Sequence, residues 1–192
     1  MNKIEGYFDS RIKELRELAN RGDPWIFLCT SSFIEYLARM TYGKETLATD
    51  YKNFLTNYFF IGCPEYGHFR YASGTQDLAD QMYHVLRCGI AHSFSLIADA
   101  KAKIRSGRDR SILLDHRRSG KRHLRNYVNN HTRPKIDAAV FVAEDFVEDI
   151  DKVMQYIFSE ARKRRPSGKQ LNNNMKLWIT KYPPIGASRL RE

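Results

Sequence analysis

The residues of this chain best suited to chemistry are an arginine and a histidine five positions apart, Arg87 and His92. They lie in the run Tyr83-His-Val-Leu-Arg-Cys-Gly-Ile-Ala-His92. An arginine stays charged and offers a planar fork of donors that matches a phosphate gaining negative charge. An imidazole titrates near neutrality, so His92 could take a proton from a ribose hydroxyl or return one to a leaving oxygen. Upstream, Leu78, Met82, Val85 and Leu86 recur at helical spacing, with Asp77 and Asp80 suited to a first turn. This pattern predicts a helix from about 75 to 92. Gly89 interrupts it, and a mid-helix glycine usually serves close packing or backbone approach. His84 falls about 80° from His92 on an ideal helix. It joins Cys88 and Gly89 as a candidate lining of the same cleft, whereas Tyr83 is expected to point elsewhere. The plain structural alternative has Arg87 capping carbonyls or pairing with Asp80, and His92 favoured by the helix dipole.

Several elements must position this pair. Residues 3–20 read as an amphipathic helix with Ile4, Phe8, Ile12, Leu15 and Leu18 on its apolar stripe. Asp23-Pro24 is a cap and first-turn signal for a second helix, Trp25 to about Met40, closed by Gly43. A third helix fits 49–60, and 61–74, with Gly62, Pro64, Gly67 and Gly74, reads as a loop. The runs 93–97, 111–114 and 138–142 are β-capable. They predict a small antiparallel sheet laid against the helices. A final helix, 144–163, carries Phe146, Ile150, Val153, Tyr156 and Ile157. The expected architecture is therefore mainly α with a β-capable insert at about 93–142. The helical domain spans 1–163, and 164–192 is expected to be a basic extended tail whose removal leaves the fold intact.

Composition narrows the function classes. Apolar residues make up 42% of the 192, enough to build a core rather than a disordered chain. No run approaches a membrane span. The three cysteines, Cys29, Cys63 and Cys88, are odd in number and widely spaced, which argues against a disulfide framework or a zinc site and for a cytoplasmic protein. His116, His123 and His131 lack ligand spacing. Phosphate-loop, dinucleotide-binding, nucleophile-elbow and zinc-protease motifs are absent, so no cofactor and no metal is expected.

The net charge of +10 is uneven: −2 over residues 1–100, +10 over 101–135, −6 over 136–161 and +8 over 162–192. Two basic blocks flanking an acidic helix suit a polyanion such as RNA. Arg105, Arg108, Arg117, Arg118, Lys121 and Arg122 are the candidate contacts in the first block, with Trp178 and Tyr182 interleaved among the cations of the second. Alternatively the acidic segment neutralises the blocks internally, and the two aromatics dock on the protein's own surface.

The run Leu86-Arg-Cys-Gly-Ile-Ala-His92 resembles the Rx4–6H motif of the HEPN superfamily (higher eukaryotes and prokaryotes nucleotide-binding domains), in its Rx4H form. The resemblance implies an up-and-down bundle of four to five helices. It also implies metal-independent RNA cleavage by Arg87 and His92, leaving a 2′,3′-cyclic phosphate. A homodimer with both motif helices facing one cleft, an antitoxin partner and a toxin or phage-defence role are further implications. At Cys88 the chain departs from many active members, which carry a polar residue such as Asn or Asp there. That departure keeps open a non-catalytic module for nucleotide or protein binding and oligomerisation.

Overall fold

A computed structural model describes residues 2–90, 108–131 and 135–183. Helix α1 (Asn2–Arg21) buries Phe8, Ile12, Leu15 and Ala19, a spacing that keeps one face on the core. It ends at Gly22, whose φ of 69° the left-handed turn requires. The Asp23 carboxylate then accepts the Trp25 N–H (2.9 Å), and α2 (Trp25–Tyr42) begins as the Asp-Pro pair predicts. Helix α2 is the central rod. Ile26, Phe27, Ile34, Leu37 and Ala38 are all buried, and Gly43 closes it at φ 68°.

Helix α3 (Ala48–Phe54) runs on through a wider π-helical turn, Leu55–Phe59, to Phe60–Gly62. The stretch expected to be a loop is partly helical: α4 (Pro64–His68) starts on a proline that suits a first turn. Tyr66, Phe69 and Tyr71 are buried and draw this segment onto the core, against the turn signals of its glycines. Helix α5 (Leu78–Gln81) continues as a π-helical segment, Met82–Ile90, with Leu78, Met82, Val85 and Leu86 buried as their spacing predicts.

The sheet has three strands, β1 (Arg108–Asp115), β2 (Asn126–Asn129) and β3 (Lys135–Val142), in the order β1-β3-β2. It is mixed, which corrects the antiparallel expectation. Strand β3 pairs antiparallel with β2 but parallel with β1, in register Ile112↔Ala139. The antiparallel reading assumed hairpins between successive strands. Instead the chain crosses from one side of β3 to the other between β1 and β2, through a short 3-10 turn, Arg117–Ser119. The run Ala138–Val142 is buried throughout, as suits a central strand covered on both faces. The β-capable run 93–97 lies outside the described residues.

Helix α6 (Ala143–Arg162) follows β3 directly, with Glu144 and Asp145 at its positive end. The expected extended tail is instead a helix, α7 (Pro166–Lys181), begun by Pro166. Its Leu171, Met175, Trp178 and Ile179 recur at helical spacing and are buried against α2 and α6. The prolines at 183–184 and the Asn run suggested extension, but four apolar anchors decide the matter. The fold is thus mainly helical with one small sheet. No helix among the described residues is long and apolar enough to cross a membrane.

Candidate functional site

Arg87 sits on the π-helical segment, a form that appears mostly as short insertions and often at functional sites. Ser31 Oγ on α2 donates to the Leu86 carbonyl (2.8 Å) and pins this segment to the central rod beside Arg87. The Arg87 side chain is 17% exposed. Its Nη2 donates to Glu35 Oε1 on α2 at 2.9 Å, and the same oxygen accepts from Arg39 Nη2 at 2.6 Å. One carboxylate oxygen therefore holds two guanidinium groups. The Arg87 plane also lies 5.3 Å from the Tyr83 ring centroid and 6.0 Å from that of Tyr51, within cation–π range. Burial alone would favour a neutral Arg87, but the Glu35 bond and charge outweigh it and raise its pKa further.

The surroundings are partly desolvated. Tyr51 is fully buried with no acceptor for its hydroxyl, and burial drives its pKa well up, as the Glu35 charge also does. Tyr83, four residues before Arg87, packs on it instead of pointing elsewhere, and burial together with a bond to Cys88 raises its pKa. Asp80 is not Arg87's partner: it pairs with Lys52 and lies 3.7 Å from His84. Cys88 is a half-buried free thiol, and Gly89 is buried. His92 lies outside the described residues, so the structure brings together Arg87, His84, Cys88 and Gly89 on one segment without placing the histidine. Glu35, Arg39, Tyr51 and Tyr83 complete the site. The signal for the first two was an i,i+4 acid–base pair on α2.

Glu35 and Arg39 also line a cleft of about 590 Å³ between α1, α2 and α7, walled by aromatic rings. Trp178, 3% exposed, and Tyr182 sit on its α7 side with ring centroids 4.4 Å apart. Both aromatics are docked on the protein itself. Tyr36 closes the same corner by donating its hydroxyl to the Tyr182 carbonyl at 3.0 Å.

The basic candidates divide. Arg105 lies outside the described residues, and Arg108 is placed by backbone alone in β1. Arg117 pairs with Asp145 (2.5 Å) and Lys121 with Asp115 (2.5 Å). Arg118 covers the α1–α2 turn, close enough that a Cβ on Gly22 would meet its guanidinium at 2.9 Å. Arg118 and Arg122 are exposed and make no ion pair among the described residues. The acidic helix α6 does fold back on the blocks, but only in part. Glu160 takes Lys163 and Arg165, whereas Glu148 and Asp151 are occupied by Arg16 of α1.

A second polar cluster underlies the sheet. Asp149 Oδ2 accepts from Tyr66 (3.0 Å) and lies 3.3 Å from His123 Nε2, while Oδ1 accepts from Lys152 (2.7 Å). The Val142 N–H donates to His123 Nδ1 (3.0 Å), which leaves Nε2 as the protonated nitrogen. Burial pushes Asp149 up, but the bonds from His123 and Lys152 prevail and hold it below the usual carboxylate range. Cys63 and Glu65 stand close to Asp149, whose Oδ1 is already bonded to the Lys152 ammonium. Burial, with Asp149 next, pushes the Cys63 thiol up to about 12. This cluster joins α4, the β1–β2 connection and α6, and it is structural.

Fold and site together define a mainly helical protein with a half-buried arginine cluster beside an aromatic cleft. No family model matches the chain, and neither a curated protein nor a solved structure matches it.

Proposed function

We propose that this chain is an HEPN-like RNA-binding protein that cleaves RNA without a metal ion, with Arg87 and His92 as the reacting pair. The observation carrying this reading is the setting of Arg87. One carboxylate oxygen and two aromatic rings fix its guanidinium, so its remaining donors are oriented before a phosphate arrives. Attack by the neighbouring 2′-hydroxyl is intramolecular, so orientation and charge stabilisation supply most of what the reaction needs. Arg118 and Arg122, which make no ion pair among the described residues, add phosphate contacts. A homodimer, an antitoxin partner and a toxin or defence role belong to the same reading and follow from the resemblance of the motif.

Glu35 favours a second reading. Its carboxylate, 2.9 Å from Arg87, competes with phosphate for the guanidinium fork. A non-catalytic module for nucleotide or protein binding would tolerate that arrangement. The discriminating experiment is incubation of the purified protein with RNA in EDTA, with products analysed for 2′,3′-cyclic phosphate ends. Cleavage that survives EDTA and falls about 10²–10⁴-fold in both Arg87→Ala and His92→Ala supports the nuclease. Cleavage that requires magnesium, or that persists in His92→Ala, rules it out.

A further inference from the structure

We infer that the cleft between α1, α2 and α7 is a pocket for one heteroaromatic base. Its volume, about 590 Å³, falls in the range of small-ligand sites, about 300–1,000 Å³. Rings of Tyr7, Phe33, Tyr36 and Trp178 form its walls, and flat π surfaces suit a flat π-faced ligand. The charged lining balances: Arg11 and Arg39 face Glu14 and Glu35, with Arg11 on Glu14 at 2.7 Å and Arg39 on Glu35 at 2.6 Å. A balanced lining disfavours a free anion and suits a neutral ring that both donates and accepts.

Among the described residues, two side chains of this lining carry a donor that lacks an acceptor. The Trp178 indole N–H and the Arg39 Nε–H are shielded from water and unbonded. Burying an N–H without a partner is costly, so such groups call for an explanation. A ring nitrogen or carbonyl of a base supplies the missing acceptor once these side chains turn toward it, and the carboxylates of Glu14 and Glu35 accept its amino group. Tyr182, 38% exposed and tilted at 37° against Trp178, stands at the mouth, where its ring can cover a bound base.

The base has two sources, a free nucleoside or an unpaired base of a strand. The second rests on the RNA reading above and the first does not. The chain has two tryptophans, so Trp25→Phe leaves Trp178 as the reporter. Guanosine, adenosine and a single-stranded RNA oligonucleotide are titrated separately against its emission, with indole as the apolar control and melting temperature as the second readout. The expected result is saturable quenching by a nucleoside or the oligonucleotide. Arg39→Lys, which keeps the charge toward Glu35, should weaken it about tenfold, as expected for one lost charged hydrogen bond. Exposed Tyr182→Ala should weaken it as well. Quenching by nucleosides identifies the free source, and quenching by the oligonucleotide alone identifies the strand. Three results overturn the pocket: no saturable change with any base, indole binding as tightly as the nucleosides, or quenching untouched by both variants. Base binding that persists in a protein with no RNA cleavage would retire the nuclease and leave this site standing.

Discussion

Replacing Glu35 by alanine removes the one carboxylate that two guanidinium groups share. Both bonds end on Oε1, at 2.6 Å and 2.9 Å, so the two nitrogens are no farther apart than those bonds laid end to end, about 5.5 Å. At an effective dielectric near 20, two unit charges at that separation repel by about 3 kcal/mol. Arg39 is about one-third exposed, and solvent screening reduces the repulsion to about half. Loss of hydrogen bonds to a charged acceptor adds about 1.5–3 kcal/mol. The expected destabilisation is about 3–4.5 kcal/mol, or a melting temperature lower by about 6–18 °C for a chain of this size. Urea and thermal unfolding measure it. Because the repulsion is electrostatic, the deficit should shrink as salt rises. The double variant Glu35→Ala with Arg39→Met should recover part of the loss, since the remaining arginine no longer faces another cation. A melting curve of Glu35→Ala superimposable on the parent's at low salt would refute the shared-carboxylate argument.

Two further outcomes follow from the core and its polar cluster. Deleting 166–192 removes Leu171, Met175, Trp178 and Ile179, each buried and worth about 1.5–3 kcal/mol. That sum is comparable with a whole domain's stability, so circular dichroism should show a chain that no longer melts cooperatively; a cooperative transition at the parent's temperature would show α7 to be dispensable. Asp149 has a depressed pKa in the folded state, so its stabilisation is full above the unfolded value near 4 and is lost as pH falls through the folded one. The melting deficit of Asp149→Asn should therefore be larger at pH 7 than at pH 3, and an equal deficit at both would show that the charge on Asp149 is immaterial.

The helical framework was legible wherever apolar residues repeat at three and four positions over several turns. That is how α1, α2, α6 and the Arg87 segment announce themselves, along with the Asp23-Pro24 start and the Gly43 stop. Helix α7 carries the same periodicity at Leu171, Met175, Trp178 and Ile179, but Pro166, the three asparagines and the cations masked it. Strand direction was not legible, because pairing β1 with β3 rather than with β2 is decided across the fold and not by local alternation. Within the candidate site, Arg87 stood out by its chemistry. Glu35 did not, because its meeting with Arg87 spans 52 positions and depends on how α2 packs against the π-helical segment. The same holds for Asp149, whose partners Tyr66 and His123 come from separate parts of the chain.

The contacts between α1 and α6 have a consequence for biosynthesis. Arg16 waits for Glu148 across 132 positions, Glu5 for Arg162 across 157, and the Phe8 ring for Phe158. At about 5–20 residues per second, the α1–α2 pair leaves the ribosome roughly 6–25 s before the helix that covers it. During that interval the Phe8 ring lacks the Phe158 ring that packs on it in the folded protein. Such long-range closure slows folding and leaves the α1–α2 pair without its cover while the rest of the chain is made.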